Sequence, residues 1–209
     1  SIAKPTEIQG NAFFYRGQEL QLHRYIDLFT FSSQVVDSMN IPQDGSFKFN
    51  VEILKTGLYL LKIGKVNTHI FIEPGDQYTV VIGEPLEEDL YGPAKEVFVQ
   101  AEIFESDSRL NYHITQLEKQ LNNFFIEATT ETYNLRSGGG IKSLADSFLL
   151  VVKKEFSDID SKFFSSYLHF RLAEFELATR HSRSLVFDKY FKDHQPAFEL
   201  LSFANAFKM

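Results

Sequence analysis

The chain has 209 residues, 44% hydrophobic and 23% charged, a composition that excludes disorder as the default and accommodates one large domain or two small ones. Its net charge of -7 divides into about -2 over Ser1 to Pro85 and about -5 beyond, which leaves no basic face for phosphates and excludes nucleic acid as an expected partner. Zero Cys excludes disulfides, thiolate metal sites, Cys nucleophiles and dithiol redox centres within these residues.

No apolar run reaches the ~18 residues of a membrane-spanning helix. The start at Ser1 without Met reads as a processed or trimmed N-terminus. From Thr6 to Gly83 apolar and polar residues alternate, with turn signals at short intervals. Ile8 to Tyr15 is predicted as a first strand, Arg16-Gly17-Gln18 as a turn, and "ELQLHRYID" and "SSQVVDSMNI" as the next two extended segments. Asp44-Gly45 carries the signal of a type I′ hairpin. Phe47, Phe49, Val51 and Ile53 then share one face at period 2. Thr56-Gly57 breaks the pattern, and "LYLLKIG" follows it. Two further strands carry Ile70 and Ile72, then Tyr78, Val80 and Ile82. About seven short strands in this span predict an antiparallel β-sandwich in which sequential strands mostly pair.

Between the last two strands lies Glu73-Pro74-Gly75-Asp76. Pro74 presets φ and Gly75 supplies positive φ, so the segment reads as a turn with two solvated carboxylates and no catalytic role. Beyond Gly83 the texture changes, and 15 of the 22 Phe lie there, mostly at helical spacing. "EVFVQAEIF" fits both periods and is taken as an extra strand over 97-104. Asp107 or Ser108 is placed to cap a helix with Leu110, Ile114, Leu117, Leu121 and Phe124 or Phe125 on one face. A second helix follows "RSGGG", with Ser143 and Asp146 as a weak capping box and Leu144, Phe148, Val152 and Phe156 on one face. A third runs through "SKFFSSYLHFRLAEFELATRHS", with an apolar stripe wide enough to be buried on more than one side. A last helix is predicted to start at Pro196 and to carry Phe198, Leu201 and Phe207. The absence of a helix-ending signal at Met209 reads as a truncated C-terminus.

The fold expected is therefore α+β: a β-sandwich domain over 1-105 with its core at 6-83, then an all-helical part over 106-209. "SGGGIKS" departs from a phosphate-binding loop, because Ile141 separates Gly140 from Lys142 and a helix precedes it. The six His include no i, i+4 pair, and Asp158-Ile159-Asp160 lacks the remainder of a calcium loop, so no metal, cofactor or catalytic residue is expected. Tyr25, Tyr78 and Tyr91 are the candidate aromatic platforms for a glycan or peptide.

Taken together, "IQGNAFFYRGQELQLHRYID", "DGSFKFNV", "GLYLLKIG" and "IFIEPGDQYTVVIG" resemble the β-rich N-terminal domain of envelope proteins of Bacteroidetes-type bacteria, many of which continue into a TlpA-like thioredoxin domain. "SRLNYHITQLEKQLNNFF" and "FFSSYLHFRLAEFELATR" resemble their connecting helices. The resemblance implies export to the periplasm or a membrane-anchored position. It also implies a non-catalytic leading region whose partner is its own C-terminal domain or another protein. Without Cys, no redox residue carries over.

Overall fold

The computed structural model describes residues 5-85, 96-134, 140-179 and 181-208. Among them are nine strands in two sheets and five α-helices, a mixed strand and helix protein. All nine strands precede all five α-helices in the chain. By contacts the chain divides into two compact units, Ser1–Asn111 and Tyr112–Met209.

In the first unit the strands are β1 (Thr6–Asn11), β2 (Glu19–Asp27), β3 (Ser32–Asn40), β4 (Ser46–Val51), β5 (Gly57–Ile63), β6 (Val66–Ile72), β7 (Gln77–Ile82), β8 (Val97–Phe98) and β9 (Ala101–Glu105). One sheet has the order β4-β1-β7-β9 and the other β3-β2-β5-β6-β8. Alternation decides which side chains go inside: Phe47, Phe49 and Val51 of β4 and Tyr78, Val80 and Ile82 of β7 are buried, and their neighbours are exposed. They share one apolar cluster with Leu20, Leu22, Tyr59, Leu61, Ile63, Ile70 and Ile72 of the five-stranded sheet.

The pairing differs from the antiparallel, sequential scheme that the turns predict. β1 runs parallel to β7, and β6 parallel to β8, so both sheets are mixed. Only β2–β3 and β5–β6 join consecutive strands. Asp44-Gly45 is not a hairpin turn, because β3 and β4 lie in different sheets and the connection crosses between them. Gly45 alone takes positive φ there (+78°), and the Asp44 carboxylate accepts the Ser46 N–H at 3.0 Å. Gly57, read as a breaker, is the first residue of β5 and pairs with Ile72. The first strand ends at Asn11, and Phe13–Tyr15 form one 3-10 turn. The Asn11 side chain accepts the Phe13 N–H at 3.0 Å, competing with strand continuation, and the Tyr15 hydroxyl donates to the Gly83 carbonyl at 2.9 Å.

The helices are α1 (Leu110–Asn134), α2 (Gly140–Glu155), α3 (Lys162–Ala178), α4 (Arg183–Tyr190) and α5 (Leu201–Lys208). Ser108 Oγ accepts the Leu110 N–H at 3.4 Å, and Glu105 accepts the Asn111 N–H at 2.9 Å, so Glu105 joins the expected cap of α1. Ser161 caps α3, its hydroxyl oxygen accepting the Phe164 N–H at 3.2 Å. Ser143 and Asp146 do not form a capping box, since α2 already starts at Gly140 and Asp146 bonds His181 at 3.0 Å instead. The last helix starts at Leu201, five residues after Pro196. A turn closed by the Leu200 N–H on the Ala197 carbonyl precedes it, and Phe198 packs edge-on against Phe203 from outside the helix.

The interior of the helical unit is aromatic. Phe124, Phe148 and Phe175 meet with ring centroids 4.8 to 5.4 Å apart, and Phe170 packs on Phe191 and Phe203. α3 buries Phe164, Tyr167, Phe170, Leu172, Ala173 and Phe175, covered on more than one side as its wide stripe predicts.

Candidate functional site

The five-stranded sheet turns one face to the core and carries an aromatic strip on the other. In β2, Leu20 and Leu22 point inward, which places Gln21, His23 and Tyr25 on the opposite side. In β6, Ile70 and Ile72 point inward and His69 outward. Register then aligns Gln21 with Lys62, His23 with Leu60, Leu60 with His69, and Asn67 with both Lys62 and Phe98. The Tyr25 hydroxyl and His69 Nε2 are hydrogen-bonded at 2.8 Å. Their rings lie 5.8 Å apart, His69 is 4.8 Å from Phe98, and Tyr25 is 6.1 Å from Phe31. Phe31 and Phe98 are about half exposed (48% and 56%), so the strip is open at both ends.

Electrostatics make this surface neutral. Burial lowers the His69 pKa to about 4, and burial together with Glu96 raises that of Tyr25 to about 12. Both shifts favour the neutral forms near pH 7, in which the pair shares one hydrogen bond. Charge lies beside the strip, where Lys62 and Glu96 pair at 2.9 Å. His23 bridges Gln21 Oε1 at 2.9 Å and Ser33 Oγ at 3.3 Å. Asn67, on the same face two residues before His69, is fully buried, and neither of its amide atoms has a hydrogen-bond partner among the described residues.

The three candidate tyrosines thus have different fates. Tyr25 stands at the centre of the strip. Tyr78 is 1% exposed and packs in the core, where its hydroxyl accepts the Glu73 N–H at 2.7 Å; inward alternation along β7 excludes it as a platform. Tyr91 lies outside the described residues. His69 and Phe98 were not singled out from sequence. The usable signal was the alternation of β6, which turns His69 away from Ile70 and Ile72.

The Glu73 to Asp76 segment forms a turn as expected, but its carboxylates are not both solvated. Asp76 is 4% exposed and accepts hydrogen bonds from Ser106 Oγ at 2.6 Å, Gln77 N–H at 2.8 Å and Ser108 Oγ at 2.9 Å, with longer ones from the Asp107 and Ser108 amides. Burial raises its pKa, and these donors outweigh burial to leave it below the usual carboxylate range. Thr6 also reaches the turn, its hydroxyl accepting the Gly75 N–H at 2.8 Å. The need for a buried anion here comes from residues 30 positions away, which local sequence does not reveal.

The helical unit holds two charged clusters and an apolar cavity. Arg171 grips Glu118 through Nε at 2.8 Å and Nη2 at 2.9 Å, and Tyr167 donates to the same carboxylate at 2.8 Å. Buried Glu176 accepts from Tyr190 at 2.7 Å and from Lys189. A cavity of about 280 Å³ is bordered by Leu177, Val186, Phe187, Phe191 and Phe207. Both clusters link helices of this unit, Arg171 and Tyr167 of α3 to Glu118 of α1, and Lys189 and Tyr190 of α4 to Glu176 of α3. In comparisons with known proteins, no family model and no curated protein matches this chain.

Proposed function

We propose that the chain is a non-catalytic accessory or interaction region of a bacterial cell-envelope protein, a β-sandwich followed by an all-helical part, exported to the periplasm or held at a membrane-anchored position. One observation carries the interaction reading: β3, nine residues long and exposed along nearly all of them, pairs only with β2 among the described residues. An open strand edge offers N–H and C=O groups with which another chain can pair. Phe31 immediately precedes that edge, and Tyr25 lies in register with Ser33 on it, so a strand added to β3 would meet aromatic side chains of the kind that dominate protein interfaces. The partner is a protein segment, from a further thioredoxin-like domain of the same protein or from a separate chain.

A photoreactive residue in place of Val35, introduced in the native host, tests this. A discrete covalent adduct is expected there and none from the same residue at Thr79 on the four-stranded sheet. No adduct at 35, or equal adducts at both positions, overturns the reading. Cell fractionation tests the location, and a cytosolic pool alone refutes export.

A second reading, a ligand-binding module for a glycan or peptide, is favoured by Asn67. A buried side-chain amide with no partner among the described residues costs about 1 to 3 kcal/mol, and a ligand carrying a donor and an acceptor would offset it. On this reading Asn67→Val stabilises the free protein and weakens capture of soluble oligosaccharide, measured by calorimetry. A wild-type protein that takes up no oligosaccharide or peptide excludes it.

A further inference from the structure

We propose that the helical unit binds an anionic amphiphile, a carboxylate bearing one short acyl chain, in the cavity bordered by α3, α4 and α5. Leu177 comes from α3, Val186 and Phe187 from α4, and Phe207 from α5, with Phe191 just beyond α4. These side chains form an open, mainly apolar groove of about 280 Å³, at the small end of ligand cavities, which suits a single short chain and not a diacyl lipid. Phe187 and Phe207 are more than half exposed (52% and 63%), so an occupant would remove two aromatic rings from water.

Charge selects the head group. Arg183, the first residue of α4, also borders the cavity, and its guanidinium has no ion pair or hydrogen bond among the described residues. Arg171 of the same unit, by contrast, engages both Glu118 and Glu174. An open apolar groove bordered by a cation with no partner among the described residues complements a ligand with an apolar body and one negative end, and a guanidinium pairs a carboxylate through two parallel N–H donors. This site lies in the other unit from the proposed strand-edge interface and stands independently of it.

Isothermal titration of the whole chain with decanoate, decanol and decyltrimethylammonium, each kept below its micelle concentration, tests the assignment. Decanoate is expected to bind saturably at one site, decanol more weakly and the ammonium weakest. Arg183→Gln, at an exposed position, should weaken decanoate roughly fivefold and leave decanol unchanged. Phe187→Ser should weaken both. Absence of saturable decanoate binding, or an Arg183→Gln variant that binds decanoate as tightly as the parent, overturns the proposal. Adsorption to phosphatidylglycerol vesicles without binding of monomeric decanoate also overturns it, because the surface would then be a membrane contact.

Discussion

The Ser106 hydroxyl donates to Asp76 Oδ1 at 2.6 Å, joining the turn before β7 to the residues that lead into α1. Because Ser108 binds the same carboxylate, removal of Asp76 takes the acceptor from several donors at once. Asp76→Ala is expected to cost about 2 to 3 kcal/mol in urea unfolding, beyond the loss of a simple turn. Glu73 serves the turn mainly through its backbone, whose carbonyl and N–H meet Thr6 and Tyr78, so Glu73→Ala should cost less than about 1 kcal/mol. Equal losses for the two variants would refute the distinction.

His69 gives the fold a dependence on mild acid. Its folded pKa, about 4, lies below the ordinary value of 6.5, so the unfolded chain takes up the proton first. Stability from this group is complete above pH 6.5 and is lost as pH falls towards 4. The loss is expected to be on the order of 2 to 3 kcal/mol between pH 7 and pH 4.5. His69→Gln, which keeps a polar partner for Tyr25 but does not titrate, should show a loss smaller by that amount. Parallel pH profiles for the two proteins would contradict the assignment.

Two glycines of the first unit should respond to alanine to different degrees and for different reasons. At Gly10, between β4 and β7 in the sheet, an added Cβ would lie 1.8 Å from the Val80 carbonyl oxygen, and backbone cannot step aside without breaking the ladder. Gly10→Ala is expected to cost about 3 kcal/mol or more, or to prevent folding. At Gly17 nothing lies within 4 Å, and only its φ of +78° opposes a side chain. Gly17→Ala should cost about 1 to 2 kcal/mol, read from thermal unfolding.

In the helical unit, Arg171→Met leaves the Glu118 carboxylate with Tyr167 but without its cation. The pair is largely but not fully buried, with side-chain exposures of 17% and 29%, so the expected cost is about 2 to 3 kcal/mol. In a double-mutant cycle, Glu118→Gln with Arg171→Met should cost less than the sum of the two single changes. Additive losses would show that the two side chains do not act as a pair.

By itself the sequence determined the secondary structure at most positions and the inward face of strands that alternate cleanly, such as β4 and β7, because both follow from local periodicity and turn chemistry. Phe47, Phe49 and Val51 are buried as alternation requires, and the change from period 2 to period 3.6 marks where strands end and helices begin. Only the tertiary structure decided which strands are neighbours. Asp44-Gly45 carries the same local signal whether its strands pair or pass to opposite sheets, and the parallel pairing of β1 with β7 depends on covering one shared core. The same holds for the sites. Tyr25 and Tyr78 are alike as residues, but strand direction and register turn one outward to meet His69 and the other inward beneath a turn. Asp76 becomes a buried anchor, and Arg183 a cation without a partner among the described residues, for one reason. Hydrogen-bond partners and burial are properties of what the fold brings close, and separation along the chain carries no record of them.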